Sequence, residues 1–151
     1  MGDVIDLETI RRHLRASAES ADLPLADRPA TAGPWSGVLA GTEYRGDLSV
    51  DEYGQESRRW DAARPLLIVF AGAEPVSGPT VIYLPSVEDF AGELIIKDLD
   101  DVSSRFPIRV VAADGQSIDG RPMREVTRRF LRLLPVRLRV PQGFGIWLEV
   151  G

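Results

Sequence analysis

The sequence predicts an all-β domain, mainly an antiparallel sandwich or barrel-like fold, carrying an N-terminal α-helical arm. Three observations predict it. Between residues 65 and 150, short apolar runs recur at intervals of about 8–12 residues, each closed by Pro, Asp or Gly. Residues 4–22 instead place apolar side chains at spacings of three and four. A Pro- and Gly-rich stretch separates the two patterns. The expected division is an arm and linker at 1–37 and a β-domain at 38–151 with its core in 65–150. No period of 20–50 residues repeats in the sequence, and that argues against a solenoid.

Each element has a local reason. In the first segment Asp3 or Asp6 can cap the first turn and Glu8 suits the positive end of the dipole. Leu7, Ile10, Leu14, Ser17 and Ala21 form a stripe that weakens toward Pro24, where the helix stops. So short a helix is marginal alone and must dock on something. Residues 23–37 hold Pro24, Pro29, Pro34, Gly33 and Gly37, a linker composition. Residues 38–61 are polar and irregular, with Tyr44, Tyr53 and Trp60 available to pin them to the sheet.

From Pro65 the pattern is β. Strands are expected at Leu66–Ala71, Thr80–Leu84, Glu93–Lys97, Ile108–Ala112 and Gln116–Ile118. Ser86 to Ala91 suits one helical turn. Residues 123–134 fit helix or strand, because Met123, Val126, Phe130, Leu133 and Leu134 satisfy the first while Phe130 and Leu131 satisfy the second. Pro135 is expected to separate this segment from Val136–Val140, and Pro141-Gln142-Gly143 to turn the chain into Phe144–Val150.

Composition narrows the function classes. The 151 residues are 44% hydrophobic, so a sizeable core is possible and wholesale disorder is not expected. The net charge of −5 argues against nucleic acid as the main partner. With no cysteine, neither disulfides nor thiolate metal sites can hold the fold. The N-terminus is acidic and has no long apolar run, so it does not read as a secretory signal. No segment approaches the roughly 18 apolar residues of a membrane span. Charge is segregated. Residues 1–61 and 62–120 each carry −5, whereas 121–139 hold seven arginines against Glu125. That band could contact nucleic acid or an acidic partner surface, but Arg137 and Arg139 alternate with Val136, Leu138 and Val140 as on the wet face of a strand.

Few residues suggest chemistry. His13 is the only histidine and lies among Arg11, Arg12 and Arg15, which rules out a His-based triad or a multi-histidine metal site. Asp98, Asp100 and Asp101 could offer hard oxygens to calcium, but without the glycine and distal glutamate of a calcium loop they read as a solvated turn. Glu93, Asp98, Asp114 and Asp119 could be paired for glycoside hydrolysis, as carboxylates in any acidic chain can. Asp114 and Asp119 precede glycine, which is turn chemistry first. Arg45-Gly46-Asp47 is an integrin-type tripeptide of the kind that arises often by chance. No nucleotide-binding loop or nucleophile elbow occurs. No catalytic, cofactor-binding or metal residue is therefore assigned.

Ile82-Tyr83-Leu84-Pro85 is followed by Gly92, Ile95-Ile96-Lys97-Asp98, Ile108-Arg109-Val110, Ile118-Asp119-Gly120 and finally Trp147. This order and spacing resemble a β-module of the tail-fibre, head-fibre and spike proteins of tailed bacteriophages. The resemblance covers residues 82–147. It departs from the family in the loop after Asp98, which reads Leu-Asp-Asp-Val-Ser-Ser-Arg where the family carries glycine and asparagine, and in the arginine-rich segment. The resemblance implies a non-enzymatic virion structural protein: a fibre, spike or head-decoration component of a phage or phage-like particle. It would be anchored through the N-terminal arm, with the β-domain displayed for host or fibre attachment. Its partners would be other virion proteins and copies of itself, most simply as a homotrimer, with a host surface glycan as a further ligand and neither nucleic acid nor membrane insertion. It would reside in the virion after assembly in the host cytoplasm and need no cofactor. Two alternatives are a surface-glycan depolymerase on a fibre scaffold and an intracellular accessory β-domain that binds a partner protein.

Overall fold

The computed structural model describes Glu8, Ile10, Arg12, residues 34–50, Tyr53 and residues 56–137 and 145–151. Its described strands are β1 (Trp35–Leu39), β2 (Glu43–Tyr44), β3 (Asp47–Val50), β4 (Glu56–Arg59), β5 (Leu66–Phe70), β6 (Thr80–Tyr83), β7 (Leu94–Asp98), β8 (Ile108–Val111), β9 (Ser117–Ile118), β10 (Met123–Glu125), β11 (Phe130–Arg137) and β12 (Gly145–Glu149). They form a six-stranded sheet in the order β1-β5-β7-β11-β12-β9, a four-stranded sheet in the order β10-β8-β6-β2, and the separate hairpin β3–β4.

The pairing differs from the expected antiparallel sandwich. β1, β5 and β7 stack parallel in the first sheet, and β2, β6 and β8 stack parallel in the second. The chain therefore winds through three successive coils, β1–β2, β5–β6 and β7–β8, in a solenoid-like arrangement. The expectation that no solenoid is present is corrected with it. Leu66 pairs with Ile95 and Thr80 with Ile108, so residues 29 and 28 apart occupy equivalent places in successive coils. The coils share inward apolar positions but little residue identity, so the repeat is geometric and not visible as sequence self-similarity. After the third coil the chain reverses. β10 pairs antiparallel with β8, β11 with β7, and β12 with β11.

The N-terminal α-helical arm is not among the described elements, which are strands and one 3-10 turn at Val102–Ser104. Most of residues 4–22, including Leu7, His13 and Leu14, lie outside the described residues. Ile10 does not project on an arm. It is 9% exposed and joins Trp35, Ile68, Phe70 and Leu99 in an apolar cluster on the outer face of the first sheet. Burial there takes the Ile10 side chain out of water. β1 also begins at Trp35, within the stretch whose composition reads as linker.

The main core lies between the two large sheets. Alternation places Val38, Leu67, Val69, Leu94, Ile96, Leu131 and Leu133 inward from the first sheet, and Ile82, Ile108 and Val110 inward from the second. Trp147 closes the core against Phe90, with ring centroids 5.8 Å apart. Gly145 permits this closure, since a Cβ there would lie 2.0 Å from Val87 Cγ2.

The ambiguous segment 123–134 is strand. β11 runs through Pro135, which was expected to end it. Val150 N–H donates to Arg132 O, so residues 132, 134 and 136 exchange hydrogen bonds with β12 and residue 135 faces the other way. The β7 partner ends at Leu133, so the donor that Pro135 lacks is not needed there. Because the strand is continuous, the parity set by Leu131 and Leu133 turns Val136 outward. Val136, expected to face inward, is thus exposed, while Arg137 is exposed as expected of a wet-face residue. Arg139 and the turn at 141–143 lie outside the described residues.

Candidate functional site

The residues that carry the phage-type pattern have structural positions. Leu84 and Pro85 are buried where β6 ends, and Leu84 N–H donates to Val111 O. The following turn, with Asp89 N–H bonded to Ser86 O, is tied down by Gln116. Its Oε1 accepts from Val87 N–H at 3.0 Å and its Nε2 donates to Ser86 Oγ at 2.8 Å.

Asp98 ends β7 with its residue wholly buried. Its carboxylate accepts from Val102 N–H at 2.9 Å, Ser103 N–H at 3.0 Å and Ser103 Oγ at 2.6 Å. It thereby organises the 3-10 turn, whose preceding residue Asp101 is left-handed with φ 56°. The Asp98 and Leu99 carbonyls accept from the Arg129 guanidinium. Asp100 Oδ2 accepts from Ala71 N–H at 2.9 Å and joins the loops after β5 and β7.

Asp119-Gly120 forms the second such turn, with φ values of 51° and 85°. Asp119 N–H donates to Trp147 O, and Asp119 Oδ1 accepts from Glu149 N–H at 3.2 Å. The side chain thus extends the two-residue pairing of β9 with β12 where no further strand residue is present.

The carboxylates considered for catalysis do not act as a pair. Asp98 is saturated by loop donors, Asp119 caps β12, Glu93 is paired with Arg132, and Asp114 sits on an exposed turn. The acidic cluster is likewise divided: Asp98 points into the core side of its turn, while Asp100 binds Ala71. Among the described residues no three metal-ligating side chains come together. Arg45 of the Arg-Gly-Asp tripeptide stacks 3.6 Å above the Tyr83 ring centroid.

The arginine band is largely a set of internal cross-links. Arg124 grips Glu149 with Nε at 2.8 Å and Nη2 at 3.3 Å. This hydrogen bond, reinforced by the Glu149 charge, raises the Arg124 pKa above its ordinary value. Arg129 holds the β7 turn, Arg132 pairs with Glu93, and Arg137 donates to the Val87 and Glu88 carbonyls at 3.4 and 3.1 Å. Sequence alternation alone does not reveal these links, because their acceptors, carboxylates for Arg124 and Arg132 and main-chain carbonyls for Arg129 and Arg137, lie far off in sequence.

Two surface features remain. The loops at the C-terminal ends of β1, β5 and β7 enclose a cleft of ≈ 660 Å³ beside Leu39, Thr42, Phe70, Glu74 and Ser77, and a second of ≈ 520 Å³ reaching Asp101 and Arg105. Both are open and lack a nucleophile–base pair or an exposed aromatic platform among their lining residues. The other feature is the outer face of β11 and β12. Phe130, Leu134, Val136 and Leu148 are all exposed there, with Leu134 directly across from Leu148 and Val136 from Ile146. A row of apolar side chains in water is characteristic of an association surface. Comparison with family models, curated proteins and solved structures yields no match.

Proposed function

We propose that this protein is a non-enzymatic structural component of a phage or phage-like particle, of the fibre, spike or head-decoration type, that presents its β-domain for attachment. One observation carries the reading. The residues of the fibre-type pattern recur as turn formers and strand caps, with the Asp98 and Asp119 carboxylates engaged by backbone donors. A stacked-coil body with an apolar outer strand face also suits a part that works by packing against other subunits. Attachment to the particle is not assigned to a free helical arm, because Ile10 packs on the sheet.

The test is co-purification. Epitope-tagged protein expressed with the particle genes of its source should band with intact particles in a density gradient and resist a high-salt wash. Protein that remains wholly in the soluble fraction would refute the assignment. Release of reducing ends from purified surface polysaccharide would favour the depolymerase instead.

A further inference from the structure

We propose that the turn at residues 127–130, with Lys97 beside it, binds an acidic saccharide: a sugar ring lies on Phe130 and its carboxylate is held by Arg128 and Lys97. The inference rests on the attachment reading for its setting and names the class of ligand. Binding is measured on the purified chain without particles, so either idea can fail alone.

The backbone supplies the first reason. Two turns of this chain share one geometry. Each is closed by an N–H that donates to the carbonyl three residues back, Arg121 to Ile118 at 3.0 Å and Phe130 to Thr127 at 3.2 Å. Each holds both central residues at positive φ, the pattern of a type I′ turn. The first turn is filled by Asp119 and Gly120, types that suit left-handed backbone. The second is filled by Arg128 and Arg129, with φ 55° and 63°. Arginine strains this conformation and gains nothing from it, so the two side chains are to be explained by what they contact. Arg129 is accounted for, because its guanidinium holds the Asp98 and Leu99 carbonyls. Arg128 is exposed and has no hydrogen-bond or ion-pair partner among the described residues.

The surroundings supply the second reason. Phe130, at the start of β11, is 39% exposed. Register sets Lys97 of β7 directly across from it, with Ile68 of β5 on the other side of Lys97. Lys97 is likewise without a carboxylate partner among the described residues. Of the acids on β7 and its flanks, Asp98 serves the 3-10 turn, Asp100 holds Ala71 N–H and Glu93 pairs with Arg132, while Asp101 is exposed in the turn beyond. Two free cations of unlike shape therefore adjoin one exposed ring. A guanidinium fork matches a carboxylate bidentately, an ammonium adds a point charge, and the aromatic face takes the apolar side of a pyranose. A nucleic-acid strand needs a track of cations and several stacking rings. Along β11 the exposed row continues instead as Leu134 and Val136, so the site fits a single acidic sugar residue.

Affinity electrophoresis of the full-length protein tests this, in native gels holding polygalacturonate, dextran or single-stranded poly-thymidylate. Polygalacturonate should retard the protein, and less so as salt rises. Dextran should not. Arg128→Gly is the decisive variant. Glycine accepts the φ of 55°, so the variant should melt no lower than wild type. It should nevertheless bind polygalacturonate more weakly by roughly tenfold or more. Arg128→Lys should recover part of the binding, since it keeps the charge and loses the fork. Phe130→Ala should weaken binding with unchanged circular dichroism. Wild-type protein that polygalacturonate does not slow would overturn the proposal, as would retardation indifferent to Arg128→Gly. Equal or stronger retardation by poly-thymidylate would overturn it in favour of a nucleic acid. A lower melting temperature for Arg128→Gly would assign Arg128 to the fold and overturn it as well.

Discussion

Asp98 is charged in the sequence and wholly buried in the fold, and its surroundings explain how both can hold. A buried carboxylate is tolerated only when its oxygens are satisfied, and here two amides and a hydroxyl satisfy them. Removing the side chain would strand the Val102 and Ser103 amides. Asp98→Ala should therefore cost about 3 kcal/mol, since each buried donor left unpaired costs on the order of 1–3 kcal/mol. Urea unfolding would show this as a lower midpoint with an unchanged slope. A loss below about 1 kcal/mol would mean that water replaces the carboxylate. Arg124 differs in kind. Its grip on Glu149 is partly exposed, so the pair contributes at most about 1 kcal/mol. Its raised pKa means that this contribution is present at neutral pH and, on the alkaline side, is lost only as pH rises through the folded value of Arg124. Trp147 carries the opposite burden, because its indole nitrogen is buried without an acceptor. Packing against Phe90 and the burial of the whole ring outweigh that loss.

Among the elements, the first sheet is unusual in being apolar on both faces at its β1–β5 end. β5 reads Leu-Leu-Ile-Val-Phe, a continuous apolar run of the kind parallel strands covered on both sides require. Leu67 and Val69 enter the main core, while Ile68 and Phe70 meet Ile10 and Trp35 on the other side. Ile10 thus acts as part of the domain. Ile10→Ala should lower stability by about 2–4 kcal/mol, as for other buried Ile truncations. It should also speed proteolysis of the N-terminal segment without changing the oligomeric state. Thermal unfolding followed by circular dichroism would measure the first effect, and a timed digest the second. A change under about 0.5 kcal/mol, the size of a surface substitution, would return the segment to the role of an independent arm.

At the scale of the whole molecule, the coils and their closing hairpin depend on each other. β7 is buried between β5 and β11, and β12 supplies Trp147 to the core shared by both sheets. No coil keeps a complete core by itself, as expected of stacked repeats. A chain truncated after residue 129 would lose β11 and β12, and with them Leu131, Leu133 and Trp147. It should show no cooperative unfolding transition, whereas the full chain should show one, with Trp fluorescence and far-ultraviolet dichroism coincident. Cooperative melting of the truncated chain would mean that the three coils form a self-sufficient unit.

From residue 65 onward the sequence by itself determined where most strands lie, because that information is local, whereas β1 to β4 fall in segments that read as linker or irregular chain. The runs from Leu66, Thr80, Ile108 and Gly145 are apolar, β-branched or aromatic, and closed by residues that stop a ladder. It also marked Asp119-Gly120 as a turn and Trp147 as a closing surface, since backbone tolerance and side-chain size travel with residue type. The neighbour of each strand was decided only by the tertiary structure. Parallel and antiparallel partners impose the same alternation on a short run, so the sandwich expected from periodicity and the stacked coils actually formed look alike along the chain. The same holds for the candidate surface. Leu134 and Leu148 are apolar and sequence logic sends them inward, yet strand parity through Pro135 and pairing with β12 turn both to the outside. Asp98 and the arginines read as solvated charge, yet they bind loop amides and carbonyls that lie far off in sequence. Contacts between distant segments depend on how the chain closes on itself, and residue type alone does not encode that closure.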